Sequence, residues 1–147
     1  MRYGASMPNT LNNVTPHADL LKTAQAVRGN AYAPYSKFQV GAAVLGVDGN
    51  IYSGCNVENA AYPEGLCAEA SAISAMVAGG CLEIAQICVV KKGGGMVAPC
   101  GGCRQKINEF ANVDVPIFVQ DKDDGLQLYS LGELLPIAFG KSNLEES

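Results

Sequence analysis

Between Thr15 and Gly29, the apolar residues Leu20, Leu21, Ala24 and Val27 recur at helical spacing, as on one face of an amphipathic helix. Thr15-Pro16 reads as an N-cap followed by proline in the first turn, and Gly29-Asn30 stops the pattern. The periodicity then changes. FQVGAAVL (38–45) and IYSGCNV (51–57) read as strands, joined across VDGN, whose Asp-Gly pair is a strong hairpin signal. YAPYS (32–36) and ENAAYPEGL are loops, the second leading into a helix from Cys67 to about Ala78. Gly79-Gly80 supplies the left-handed residue that ends this helix. IAQICVV (84–90) is a continuous apolar run, as in a strand covered on both faces. A further helix is predicted from Cys100 to about Phe110, then a buried strand VPIFVQ (115–120), a DKDDG turn and an edge strand LQLYS (126–130). SLGELLP (130–136) closes the series as a short capped helix.

The order α-β-β-α-β-α-β-β-α, without internal repeats, predicts an α/β fold. A hairpin feeding β-α-β crossovers implies a mixed five-stranded sheet with helices on both faces, a three-layer α/β/α sandwich. Residues 1–14 read as an N-terminal tail, 15–140 as the folded domain and 141–147 as a fraying C-terminal tail.

Composition narrows the function classes. A chain of 147 residues is one domain, long enough for a core without covalent staples. A net charge of −4, with no Lys/Arg run, argues against a nucleic acid polymer as partner. Lys91-Lys92 is the only adjacent basic pair and reads as a solvated loop. No apolar run reaches the roughly 18 residues needed to span a bilayer, and MRYGASMPNTLNN has no signal-peptide character. No membrane association and a cytoplasmic location are therefore expected. In that compartment the six cysteines are expected as thiols or metal ligands rather than as a disulfide framework.

Candidate chemistry lies at two predicted helix starts. PCGGC (99–103) is a C-x-x-C whose proline holds the preceding backbone extended, with Cys103 one turn beyond Cys100 on the same face. LCAEASAISAM (66–76) opens a second helix with Cys67 and sets Glu69 in a stretch that should be buried. Helix N-termini favour thiolates through their partial positive charge and unpaired N–H groups. If the two first turns converge, Cys67, Cys100 and Cys103 supply three soft ligands, which points to Zn²⁺ with an open position for a water or hydroxide. A closed structural site would need a fourth ligand. The sole histidine, His17, is expected far away, Cys88 in a buried strand, and Cys55 and Cys81 lack ligand spacing. An acidified water needs a proton acceptor, and Glu69 stands where one is needed.

C-A-E followed, after thirty-odd residues, by P-C-x-x-C resembles the zinc-dependent nucleobase and nucleoside deaminases, in their all-cysteine ligand version. YAPYSKFQVGAAV (32–44), NVENAAYPEGLCAE (56–69) and ELLPIAFG (133–140) narrow the resemblance to the small homotetrameric cytidine deaminases, over roughly residues 17–140. The resemblance implies hydrolytic deamination of cytidine and 2′-deoxycytidine, a pyrimidine salvage reaction, with one Zn²⁺ per subunit and active sites shared across a homotetramer. It implies Glu69 as the catalytic proton shuttle and Phe38 as an aromatic wall of the nucleoside pocket. It further implies Asn56 and Glu58 as partners of the sugar 3′-hydroxyl, the backbone beside Ala68 as reader of the pyrimidine edge, and Tyr62 and Phe139 as aromatics completing the pocket.

One position departs from the pattern. Small members usually carry arginine directly after the catalytic glutamate, where this chain has Ala70. Three thiolates on Zn²⁺ leave a net negative charge that resists ionisation of the water. Arg104, directly after Cys103, is therefore expected to donate to the sulfurs. Three other readings stay open at this point. A polynucleotide deaminase shares the zinc core, although Glu58 would repel the phosphate of a continuing strand. A blasticidin-type deaminase shares the ligands without needing N-x-E to grip a ribose. A non-catalytic zinc-stabilised interaction protein would need four protein ligands and has no use for Glu69.

Overall fold

The computed structural model describes residues 11, 13–93, 95–121 and 125–145. Most of the predicted tail at 1–14, the centre of the DKDDG turn and the middle of the 93–95 glycine run lie outside the described residues. Five strands, β1 (Val40–Gly46), β2 (Ile51–Cys55), β3 (Ile84–Lys91), β4 (Pro116–Gln120) and β5 (Leu126–Ser130), form one sheet in the order β2-β1-β3-β4-β5. The β3–β4 pair is parallel and the others antiparallel, so the sheet is mixed as predicted.

Alternation along the strands assigns the two faces. Ala43, Cys88, Val90 and Phe118 point to one side and pack on Leu20 and Ala24 of helix α1 (Leu20–Arg28). Ala42, Val44, Ile87, Val89, Ile117 and Val119 point to the other. There they meet Ala68, Ala72, Ile73 and Met76 of α2 (Ala68–Ala78), Ile107 of α3 (Gly101–Phe110) and Leu131 of α4 (Leu131–Leu134). This is the expected three-layer sandwich. Gly54 of β2 lets α2 lie directly on the sheet, since a Cβ there would overlap the backbone of Ser71 and Ala72.

Several boundaries move for identifiable reasons. α1 begins at Leu20 rather than at Pro16, because the preceding segment is held against β3: Gln86 Nε2 donates to Thr15 O, and His17 N donates to Gln86 Oε1. A tertiary tie here overrides the local capping signal. α2 and α3 each start one residue late, with Cys67 and Cys100 as extended N-cap residues. Ser130 caps α4 with a reciprocal Ser130–Glu133 capping box. The predicted C-terminal fray begins instead with a 3-10 turn at Lys141–Asn143, where Lys141 Nζ lies 3.6 Å from Glu109 Oε1.

Candidate active site

α2 and α3 lie side by side on one face, so their N-termini bring Cys67 and Cys100 together. Both cysteines have extended backbones (φ/ψ −74°/155° and −65°/166°), and neither side chain caps its own helix. Their sulfurs stand 3.9 Å apart, and Cys103, one turn into α3, joins them, all three Sγ atoms lying within 4.8 Å of one another. A disulfide requires about 2.05 Å between sulfurs. Tetrahedral Zn²⁺ with Zn–S bonds of about 2.3 Å separates its thiolates by about 3.8 Å. The donor set therefore fits zinc. Among the described residues the cluster of metal-ligating side chains comprises these three cysteines, which leaves a fourth position open. Cys81 is instead buried beside Glu83 O, Cys88 lies in the α1-side core, and His17 is exposed next to Gln86.

Glu69, in the first turn of α2, is 5% exposed, and the Cys103 thiol donates to its Oε2 at 3.5 Å. Burial holds its carboxyl above the usual carboxylate range, while its own backbone N–H, the Cys103 thiol and the field of Lys106 act in the opposite sense. Burial also pushes the Cys103 thiol up, reinforced by the neighbouring Glu69 and Cys67 charges. Cys67 is raised chiefly by burial, whereas the backbone N–H of Cys103 lowers Cys100. Three thiols and a carboxyl in so small a volume are mutually unfavourable when ionised, and a divalent cation reverses that balance.

Arg104 does not take the partners expected of it. Its Nε donates to Pro99 O and its Nη1 to Leu134 O, each at 2.8 Å. One residue beyond Cys103 is a rotation of about 100° around the helix, which turns the guanidinium from the sulfurs towards α4. Arg104 thus clamps the backbone immediately before Cys100. Lys106 was not singled out in the sequence, although its position one turn beyond Gly102 on α3 is the available signal.

Residues 35–36 and the segment 58–65 form a cleft of about 410 Å³ lined by Tyr35, Ser36, Glu58, Asn59, Tyr62 and Gly65. Glu58 Oε1 accepts from Tyr35 N and Ser36 N at 2.9 and 3.1 Å. The Ser36 hydroxyl, followed by these amides, holds the Glu58 carboxyl below its ordinary range, against a smaller burial effect. Asn56 is a second brace: Oδ1 accepts from Val40 N, and Nδ2 donates to Phe38 O. Tyr35 and Tyr62 meet edge to face with centroids 6.0 Å apart. Tyr35 was read only as loop, and its place on the cleft wall follows from this pairing. Ala68 is buried at the first position of α2. Phe139 is exposed and tied to α3, its carbonyl accepting from Gln105 Nε2 and Asn108 Nδ2.

Residues 14–119 match the cytidine and deoxycytidylate deaminase zinc-binding region. The chain belongs to the cytidine and deoxycytidylate deaminase family. A cytidine deaminase from Sporosarcina psychrophila is 42% identical over 125 residues, which cover 85% of this chain and 92% of that protein. The crystal structure of cytidine deaminase from Burkholderia pseudomallei superposes with a TM-score of 0.79 at 41% identity, covering 85% of this chain and all of that one. That of cytidine deaminase from Mycobacterium tuberculosis gives 0.73 at 39%, covering 82% and 94%. The α/β/α sandwich expected from the element order is thus shared with solved members of the family. No helix among the described residues is long and apolar enough to cross a membrane.

Proposed function

We propose that this chain hydrolytically deaminates cytidine and 2′-deoxycytidine to uridine and 2′-deoxyuridine, releasing ammonia in pyrimidine salvage. The single observation that carries this reading is a carboxyl buried against one of three convergent thiols at the paired helix N-termini. Cys67, Cys100 and Cys103 would hold Zn²⁺, which would supply the acidification that makes water nucleophilic near neutral pH. Glu69 accepts the proton of that water and delivers it to N3 of the pyrimidine, which makes C4 electrophilic. The water oxygen adds to C4, Glu69 takes the remaining proton of that hydroxyl and carries it to the exocyclic nitrogen, C4=O forms as the C4–N bond breaks, and ammonia leaves. A buried Glu69 suits this work, because a carboxyl raised from its usual range can hold a proton as well as release one.

Phe38, Tyr62 and Phe139 are assigned to the walls of the nucleoside pocket, Asn56 and Glu58 to the sugar 3′-hydroxyl, and the backbone at Ala68 to the pyrimidine edge. Glu58 has capacity for that contact, since a carboxylate offers about four acceptor sites and the Tyr35 and Ser36 groups leave some of them open. An ionised Glu58 also disfavours a 3′-phosphate and hence a polynucleotide substrate. Arg104 is assigned a supporting role, shaping the approach to Cys100 rather than neutralising the sulfurs.

Tyr32, Tyr35, Tyr62, Leu66 and Phe139 are each at least half exposed, which supports a homotetramer whose subunits cover one another's pockets. Light scattering should then give four times the 15.3 kDa chain mass. The compartment assigned is the cytoplasm. Glu69→Gln tests the mechanism: kcat for cytidine should fall by about 10²–10⁴ while zinc content and circular dichroism stay unchanged. Full activity in that variant would remove Glu69 from the mechanism.

A further inference from the structure

The adjacent basic pair at 91–92 reads as a solvated loop from sequence, yet Lys91 is the last residue of β3 and is half-buried. Its ammonium lies over the Phe38 ring, 5.6 Å from the centroid. The register explains how it arrives there. Lys91 pairs with Val40, so Phe38, two residues before Val40, is its diagonal neighbour, a separation that a long side chain spans. The backbone around both residues is held. Lys92 N donates to Gln39 O, Arg28 Nη1 donates to Lys91 O, and Asn56 Nδ2 donates to Phe38 O. Lys37, immediately before Phe38, has φ +59°, an uncommon conformation for a residue with a side chain, and its N–H donates to Ala33 O.

Gly95 also lies near the ammonium. Gly95 has φ +80°, and a Cβ there would sit 3.5 Å from Lys91 Nζ. Phe38 is itself 44% exposed. Its backbone is anchored, but an exposed aromatic keeps freedom at its side-chain torsions unless something covers one of its faces.

We infer that Lys91 is a positioning residue for the nucleoside, its ammonium holding the Phe38 ring by a cation–π contact so that the opposite ring face is ready for the substrate. The inference deepens the proposed function and rests on Phe38 being a wall of the pocket. Lys91 does not touch the reacting atoms. It acts on affinity by reducing the ordering that Phe38 must undergo when the nucleoside binds.

A double-mutant cycle tests it, with KM and kcat for cytidine and the Kd of uridine by calorimetry. Lys91→Met keeps the aliphatic stem and removes the charge; it should raise KM and Kd about two- to fivefold and leave kcat within about twofold. Lys91→Arg should restore both constants, because a guanidinium also stacks on an aromatic face. In a Phe38→Leu background, Lys91→Met should add nothing. Equal effects in both backgrounds, no effect in either, or failure of arginine to rescue would overturn the inference while leaving Phe38 in the pocket. If Phe38→Leu itself leaves KM and Kd unchanged, the pocket assignment falls, and the role of Lys91 falls with it.

Discussion

Cys88 and Cys103 are both fully buried, and they lie on opposite sides of the same sheet. Cys88 projects from β3 into an apolar shell of Leu20, Ala24, Ala43, Val90 and Phe118, where burial alone pushes its thiol up to about 12. Cys103 sits in the first turn of a helix, with Cys67, Cys100 and Glu69 at hand. Burial makes a thiol inert, whereas convergence with other donors makes it a ligand. The α1 side of the sheet holds the molecule together. The α2–α3 side does so too, but places two helix N-termini where chemistry can collect.

The sharpest break in this comparison is Cys103→Ser against Cys88→Ser. Cys103→Ser should lose zinc and lower kcat/KM by more than the roughly 10–100-fold typical of losing an outer-shell partner. Cys88→Ser should keep zinc and turnover and lose about 1–3 kcal/mol of stability by burying a hydroxyl. Elemental analysis, kinetics and urea unfolding on both variants decide it. Equal zinc loss would erase the distinction between the two faces.

Arg104→Ala removes two charge-assisted hydrogen bonds from the segment that delivers Cys100, and should cost about 2 kcal/mol. Faster zinc release to a chelator should accompany this loss. An unchanged melt and unchanged zinc release would show that the Pro99–Leu134 clamp contributes nothing.

A further difference is an alkaline one. The Cys88 thiol rises from 9.0 in the unfolded chain to about 12 in the folded one, so its contribution is fully present below pH 9 and is lost as pH rises through 12. Between those values it should tilt stability by about 1.4 kcal/mol per pH unit. Comparing unfolding of wild type and Cys88→Val across pH 9–11 checks this, and identical slopes would contradict it.

Much of the site was legible because its signals are local. Cys67, Glu69, Cys100 and Cys103 occupy helix starts marked by Pro99 and by the change from polar loop to apolar periodicity, and spacing within a turn determines which residues share a face. The IAQICVV and VPIFVQ runs identified covered strands for the same reason, and Asp48-Gly49 marked the hairpin, with Gly49 at φ +83°. The partners of Arg104 and Lys91 were not legible. Each depends on what a separate element presents: the carbonyl of Leu134 in one case, the Phe38 ring in the other. The start of α1 was misplaced because Gln86, about seventy residues away, captures the backbone around Thr15 and His17.

By itself, then, the sequence determined the elements, the α/β order and the donor set, since these follow from periodicity, capping and ligand chemistry within a few residues. Only the tertiary structure decided that the three sulfurs share one volume, that Glu69 faces Cys103, and that Asn56 and Glu58 brace the loop carrying Phe38. Those outcomes rest on sheet register and on the packing of α2 against β2 at Gly54, where residues far apart along the chain are brought within contact distance. No local pattern encodes such a distance, because it is set by the combined packing of the whole core.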